Sequence, residues 1–92
     1  MSMNMMKTPK ELGMVIAANL KKLRKQRKLS QKALAEKAGV SYGSMKRFEQ
    51  TGEIALESLL KIAIVLGEIE PFEVLFKPTE IKSIQEIIDG NL

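Results

Sequence analysis

The stretch Leu29-Ser30-Gln31-Lys32-Ala33-Leu34-Ala35-Glu36-Lys37-Ala38-Gly39-Val40-Ser41 decides how the rest of this chain is read. Ser30 is a side chain of the kind that accepts a hydrogen bond from a free N–H at a helix start. Leu34, Ala35 and Ala38 follow at helical spacing, which predicts a short helix over Gln31–Ala38 with these three facing inward. Gly39 ends it, because glycine adopts a left-handed backbone without a β-carbon penalty. Val40 is expected as an apolar plug beneath the turn. Ser41 then caps a second helix from Tyr42 to about Gln50, with Met45 and Phe48 on its inner face. Ala35 is small where two helices joined so tightly must cross.

Working outward, Thr8-Pro9-Lys10-Glu11 combines a capping box with proline at the first helical position. A helix from about Pro9 to Lys28 follows, with Leu12, Ile16, Leu20 and Leu23 inward and Val15 widening the stripe. On the other side, Thr51-Gly52-Glu53 reads as a turn. A fourth helix is predicted from about Leu56 to Leu66, with Leu56, Leu59, Leu60, Ala63 and Leu66 inward and Gly67 at its end. Pro71 opens a fifth short helix containing Phe72, Leu75 and Phe76, and Pro78 stops it. Residues 1–7 lack periodicity and read as a flexible arm; 8–77 form the domain. Residues 78–92 are a tail in which Ser83-Ile84-Gln85-Glu86 predicts a short helix with Ile84, Ile87 and Ile88. A short strand around Ile81 is the alternative there. The expected fold class is all-α, a compact five-helix domain with a C-terminal tail.

Composition narrows the function. The 92 residues suffice for one domain, and 45% apolar with 28% charged residues is ordinary for a folded chain. With no Cys there is no disulfide or thiolate metal site, and with no His the commonest general base and metal ligand are missing. No carboxylate pair stands out either. No enzyme activity, catalytic residue, metal or cofactor is therefore expected. No apolar stretch is long enough to span a bilayer, and the short one from Leu12 to Leu20 precedes the basic cluster, the reverse of a secretory signal. The expected location is the cytoplasm.

The charge is unevenly divided. Residues 1–50 carry twelve Lys+Arg against three Glu, a net +9, while residues 51–92 carry three against eight acids, a net −5. The densest part holds Lys21, Lys22, Arg24, Lys25, Arg27, Lys28, Lys32 and Lys37 against Glu36 alone. Such a footprint suits a polyanion, and it equally suits a solvated helix face. A basic amphipathic helix over Met14 to Lys28 would also fit a membrane surface or a calmodulin-like partner. The cap at Thr8 and the motif downstream argue against that reading.

From about Leu20 to Phe76 the chain resembles the Cro/CI-type (Xre) helix-turn-helix family. The stretches that carry the resemblance are Leu29-Ser30-Gln31, Leu34 to Ser41, Phe48-Glu49, Leu59-Leu60-Lys61-Ile62-Ala63 and Leu66-Gly67. It implies a lambda repressor-like domain that binds double-stranded DNA in the cytoplasm, as a homodimer on an inverted repeat, to regulate transcription as a repressor or autorepressor. The helix starting at Tyr42 would be the recognition helix, with Tyr42, Gly43, Lys46 and Arg47 at the base edges. Ser30, Gln31, Ser44 and Lys32 would contact phosphates, helix N-termini being suited to anions. Arg24 and Glu49 match a pair that forms a buried ion bridge between the first and third helices. Their role would be structural.

The chain departs from the family pattern in two places. The loop Gln50-Thr51-Gly52-Glu53 lacks the basic phosphate contacts that several members place there, and Lys7 and Lys10 of the N-terminal arm are the expected substitute. Ile64 and Val65 stand where polar or small residues are common. With Ile69, Phe72, Leu75 and Phe76 they form an apolar surplus, read either as a dimer or partner surface or as extra core. A narrower similarity, to HipB-like antitoxins that bind kinase-type toxins, is carried by Lys46 to Ile54, Leu56-Glu57-Ser58-Leu59-Leu60, Glu73 to Pro78 and Ser83 to Glu86. It implies a toxin protein as a further partner.

Overall fold

The computed structural model describes residues 7–79. Among these residues five helices follow one another: α1 (Pro9–Gln26), α2 (Gln31–Ala38), α3 (Tyr42–Thr51), α4 (Leu56–Leu66) and α5 (Glu70–Glu73). Among the described residues there is no strand, and no helix is long and apolar enough to cross a membrane. The readings made for residues 1–6 and for the tail around Ile81, Ser83–Glu86, Ile87 and Ile88 lie outside the described residues.

Helix starts follow local chemistry. Thr8 Oγ1 accepts from the Glu11 N–H at 3.0 Å, and Glu11 Oε1 accepts from the Thr8 N–H at 2.9 Å. That backbone donation holds the Glu11 carboxyl below its ordinary pKa. Ser30 Oγ accepts from the Ala33 N–H, and Ser41 Oγ from the Ser44 N–H, both at 3.0 Å. Helix α4 is preceded by Ala55, which offers no side-chain cap. Gly39, at φ 73°, closes α2 and turns the chain into α3.

Leu34, Met45, Phe48 and Ile62 are fully buried at the centre, ringed by Ala17, Leu20, Ala35, Ala38 and Leu66. Burying such side chains is worth about 1.5–3 kcal/mol each, so these four are a large part of what the shared core of α2, α3 and α4 contributes. Helix α3 packs on both α1 and α2, and α4 packs on α2.

Several details differ from the pattern-based reading. Helix α1 stops at Gln26, two residues short, and Lys28 takes a left-handed φ of 58°. Its buried face is Ala17, Leu20 and Arg24, whereas Leu12 is 50% exposed and Val15 and Ile16 are also exposed. The cause is that the first half of α1 packs through Gly13, where backbone meets backbone, so bulk is excluded from the very side that touches α3. In α4, Ala63 and Leu66 are buried and Leu59 and Leu60 half-buried as expected, but Leu56 is 66% exposed and Ile62 joins the buried side. The buried residues of α4 all lie in its second half, so Leu56 at its start stands clear of the core. Val40 is half-buried against the core rather than enclosed. Helix α5 is a single turn. The chain leaves it at Val74 and passes Phe76 at φ 64°, leaving Leu75 exposed and Phe76 96% exposed.

Candidate nucleic-acid interface

One carboxylate stitches the central unit together. Glu49 Oε2 accepts from Arg24 Nε at 2.8 Å, and Glu49 Oε1 accepts from Arg24 Nη2 at 2.9 Å. Gln31 Nε2 donates to the same Oε1 at 2.9 Å, and Arg24 Nη1 donates to the Leu29 carbonyl at 2.9 Å. Side chains from α1 and α2 thus converge on α3, and the loop between them adds a backbone carbonyl that holds Arg24. The Arg24 and Glu49 side chains are only 8% and 3% exposed. Burial pushes the Glu49 carboxyl pKa up, but hydrogen bonds from Arg24 and Gln31, with the charges of Arg24 and Lys21, hold it below its ordinary value. Every buried side-chain nitrogen or oxygen among the described residues has a partner.

This network leaves α3 with two faces. Met45, Phe48 and Glu49 turn inward, while Tyr42, Gly43, Lys46 and Arg47 are exposed. Lys46 Nζ lies 4.7 Å from the centre of the Tyr42 ring, a cation–π contact one turn along the helix. Gly43 has no steric duty: a β-carbon there would meet nothing nearer than Ser41 Oγ at 4.0 Å. Arg47 Nη2 donates to Glu53 Oε1 at 2.6 Å across the turn that follows α3. Ser44 is half-buried, its Oγ accepting from Ser41 Oγ at 2.9 Å.

Ser30 and Lys32 are exposed at the start of α2, beside half-buried Gln31. The basic cluster is less free than its sequence implies. Arg24 is buried in the network, and Arg27 Nη1 donates to the Leu66 carbonyl at 2.7 Å, with Nη2 3.9 Å from Glu68. Arg27 therefore closes the end of α4. The lysines at 21, 22, 25, 28, 32 and 37 are exposed. Sequence reasoning missed two residues at the site. Glu53 was read only as part of a turn without cations, and Gly13 not at all. The spacing of Arg47 and Glu53 around a glycine was the available signal for the first.

Two capped helices about a left-handed glycine, the second locked inward by one carboxylate and polar outward, define a DNA-binding helix-turn-helix protein. The family model described as Helix-turn-helix matches residues 20–74. The chain belongs to this family, in its Cro/CI-type (Xre) branch. A search of curated proteins gave no match.

Proposed function

We propose that this chain is an operator-binding transcriptional repressor or autorepressor that lays α3 in the major groove and acts as a homodimer on an inverted repeat. The observation that carries the reading is the division of α3: Lys46 and Arg47 stand in solvent on a helix whose Met45, Phe48 and Glu49 are held inward. A helix anchored on one side and cationic on the other offers side chains to a groove without disturbing the core. Arg47 is the base reader, since its fork bonds guanine O6 and N7 together. Lys46 reaches a guanine or a phosphate, and Tyr42 offers its ring edge to a thymine methyl. Gly43 lets the helix approach closely. Ser30, Gln31, Lys32 and Ser44 fix the register on phosphates. The Gln31 amide, steadied by Glu49, keeps a second N–H for that purpose.

Dimerisation is supported by the exposed Ile64, Val65, Ile69 and Phe76, which belong to α4, α5 and their flanks and to no part of the α2–α3 face. An apolar groove lined by Leu60, Ala63, Ile64, Ile69 and Phe72 adjoins them. The exposed acids Glu70 and Glu73 of α5 give the antitoxin reading its one support, a negative patch for a basic toxin partner, whereas Glu57 and Glu68 pair with Lys61 and Arg27.

Site selection tests the reading. Arg47→Ala should cost about 1–3 kcal/mol on the selected site and relax one base pair, whereas Gln31→Ala should weaken all sequences alike. An unchanged selected site for Arg47→Ala would remove α3 as the reader.

A further inference from the structure

Arg47 and Glu53 are joined by more than a chance surface contact. The Arg47 carbonyl accepts from Thr51 Oγ1 at 2.7 Å, Thr51 Oγ1 accepts from the Glu53 N–H at 3.2 Å, and Glu53 Oε1 accepts from Arg47 Nη2 at 2.6 Å. These three bonds close a ring across the end of α3. The turn inside it is fixed as well. Gly52 holds φ 78°, and Gly13 of α1 lies hard against its backbone. Glu53 therefore reaches Arg47 from a set position, although both side chains are well exposed, 58% and 66%.

An acid beside a DNA-facing arginine opposes phosphate binding, because an approaching phosphate meets a paired charge and a like charge together. A guanine edge is different. It is neutral, and its two acceptors need only two of the five guanidinium N–H groups. One N–H can stay on Glu53 while two others engage the base.

We infer that Glu53 is a positioning residue that determines specificity: it holds the Arg47 guanidinium on the outer face of α3 and screens it from phosphates while leaving it open to a guanine. The inference rests on the proposed reading of bases by Arg47. Glu53 thus lowers binding to arbitrary DNA more than binding to the operator.

The test uses the full chain with Glu53→Gln, Glu53→Asp, Arg47→Ala and the Arg47→Ala/Glu53→Gln double variant. Each is titrated by fluorescence anisotropy on the selected duplex and on a scrambled one, across a salt series. Exposed ion pairs add little to stability, so the Glu53 variants remain folded. Glu53→Gln should tighten the scrambled duplex about two- to fivefold, with a smaller gain on the selected one. Its salt slope on scrambled DNA should steepen by up to about 0.9, one further phosphate contact. Glu53→Asp should restore much of the discrimination, and Glu53→Gln should leave the ratio unaltered when Arg47 is already alanine. Equal tightening on both duplexes, or an effect undiminished by Arg47→Ala, overturns the inference and leaves the base-reading role standing. If Arg47→Ala itself relaxes no base pair, the base-reading role fails and the inference falls with it.

Discussion

The backbones of Gly13 in α1 and Gly52 at the end of α3 lie in direct contact. A β-carbon on Gly13 would stand 2.5 Å from the Gly52 carbonyl oxygen, and one on Gly52 would stand 2.6 Å from the Gly13 carbonyl carbon. The seat that α1 offers to α3 is made by omitting side chains. Arg24 and Glu49 bind the same two helices further along, so α3 is held at two separate points.

This contact predicts the sign of Gly13→Ala. In an open helix the change would stabilise by about 0.5–1 kcal/mol. Here it should destabilise by about 1–3 kcal/mol, the range for forcing atoms into a packed site. Urea denaturation measures it, and a higher midpoint than wild type would refute the packing argument.

A second prediction follows from Glu49. Its pKa is lower in the folded chain than the ordinary 4.5, so the folded state binds its proton less readily than the unfolded chain does. The associated stabilisation is fully present above the unfolded pKa and is lost as pH falls through that value toward the folded one. Denaturant midpoints taken from pH 7 to pH 3 should fall more steeply in wild type than in Glu49→Gln. At pH 7 the variant should be weaker by about 3–5 kcal/mol, since it strands the Arg24 charge. Parallel acid limbs would show that Glu49 is not the responsible group.

Much of this architecture is legible without coordinates, for identifiable reasons. Ser30, Gly39 and Ser41 act through neighbouring backbone, so their effects are written locally, and α2 and α3 begin where those residues require. The buried sides of α1 and α4 are a tertiary matter. Leu12 and Leu56 continue an apolar period yet stand in solvent, because the length of a helix that meets the core is set by its neighbours, as the Gly13–Gly52 contact does for α1, and that leaves no mark in local periodicity. The candidate site divides similarly. The exposed positions on α3 follow from the motif's register, whereas the bond between Arg47 and Glu53 depends on the exact return of the chain after Gly52.

Gly43 supplies a third test, in which stability and binding move apart. Nothing crowds its α-carbon, so Gly43→Ala should raise stability by about 0.5–1 kcal/mol through helix propensity. The added methyl should at the same time weaken operator binding by obstructing close approach to the groove. Thermal melts and anisotropy on one sample resolve the two effects, and gain in both would remove Gly43 from the DNA face.

The fourth prediction concerns assembly. One recognition helix spans too few base pairs to mark a unique site, and two-fold pairing answers this by setting two such helices about 34 Å apart. Sedimentation at micromolar concentration should show a dimer, with Ile64→Lys and Ile69→Lys shifting it toward monomer. Footprinting should show protection of an inverted repeat. A monomer with and without DNA, protecting one asymmetric half-site, would exclude the symmetric arrangement.

The two-faced build of α3 also bears on how such a chain changes its target over generations. Everything that fastens the helix sits at Met45, Phe48, Glu49 and the Gly52 turn, while Tyr42, Lys46 and Arg47 face solvent and Gly43 has room for a methyl. The four outward positions therefore form an exchangeable cassette on a fixed mount. If α3 reads bases as proposed, a randomised library at 42, 43, 46 and 47 varies sequence preference while the mount stays constant, and duplicated copies of the gene diverge toward new operators without losing the fold.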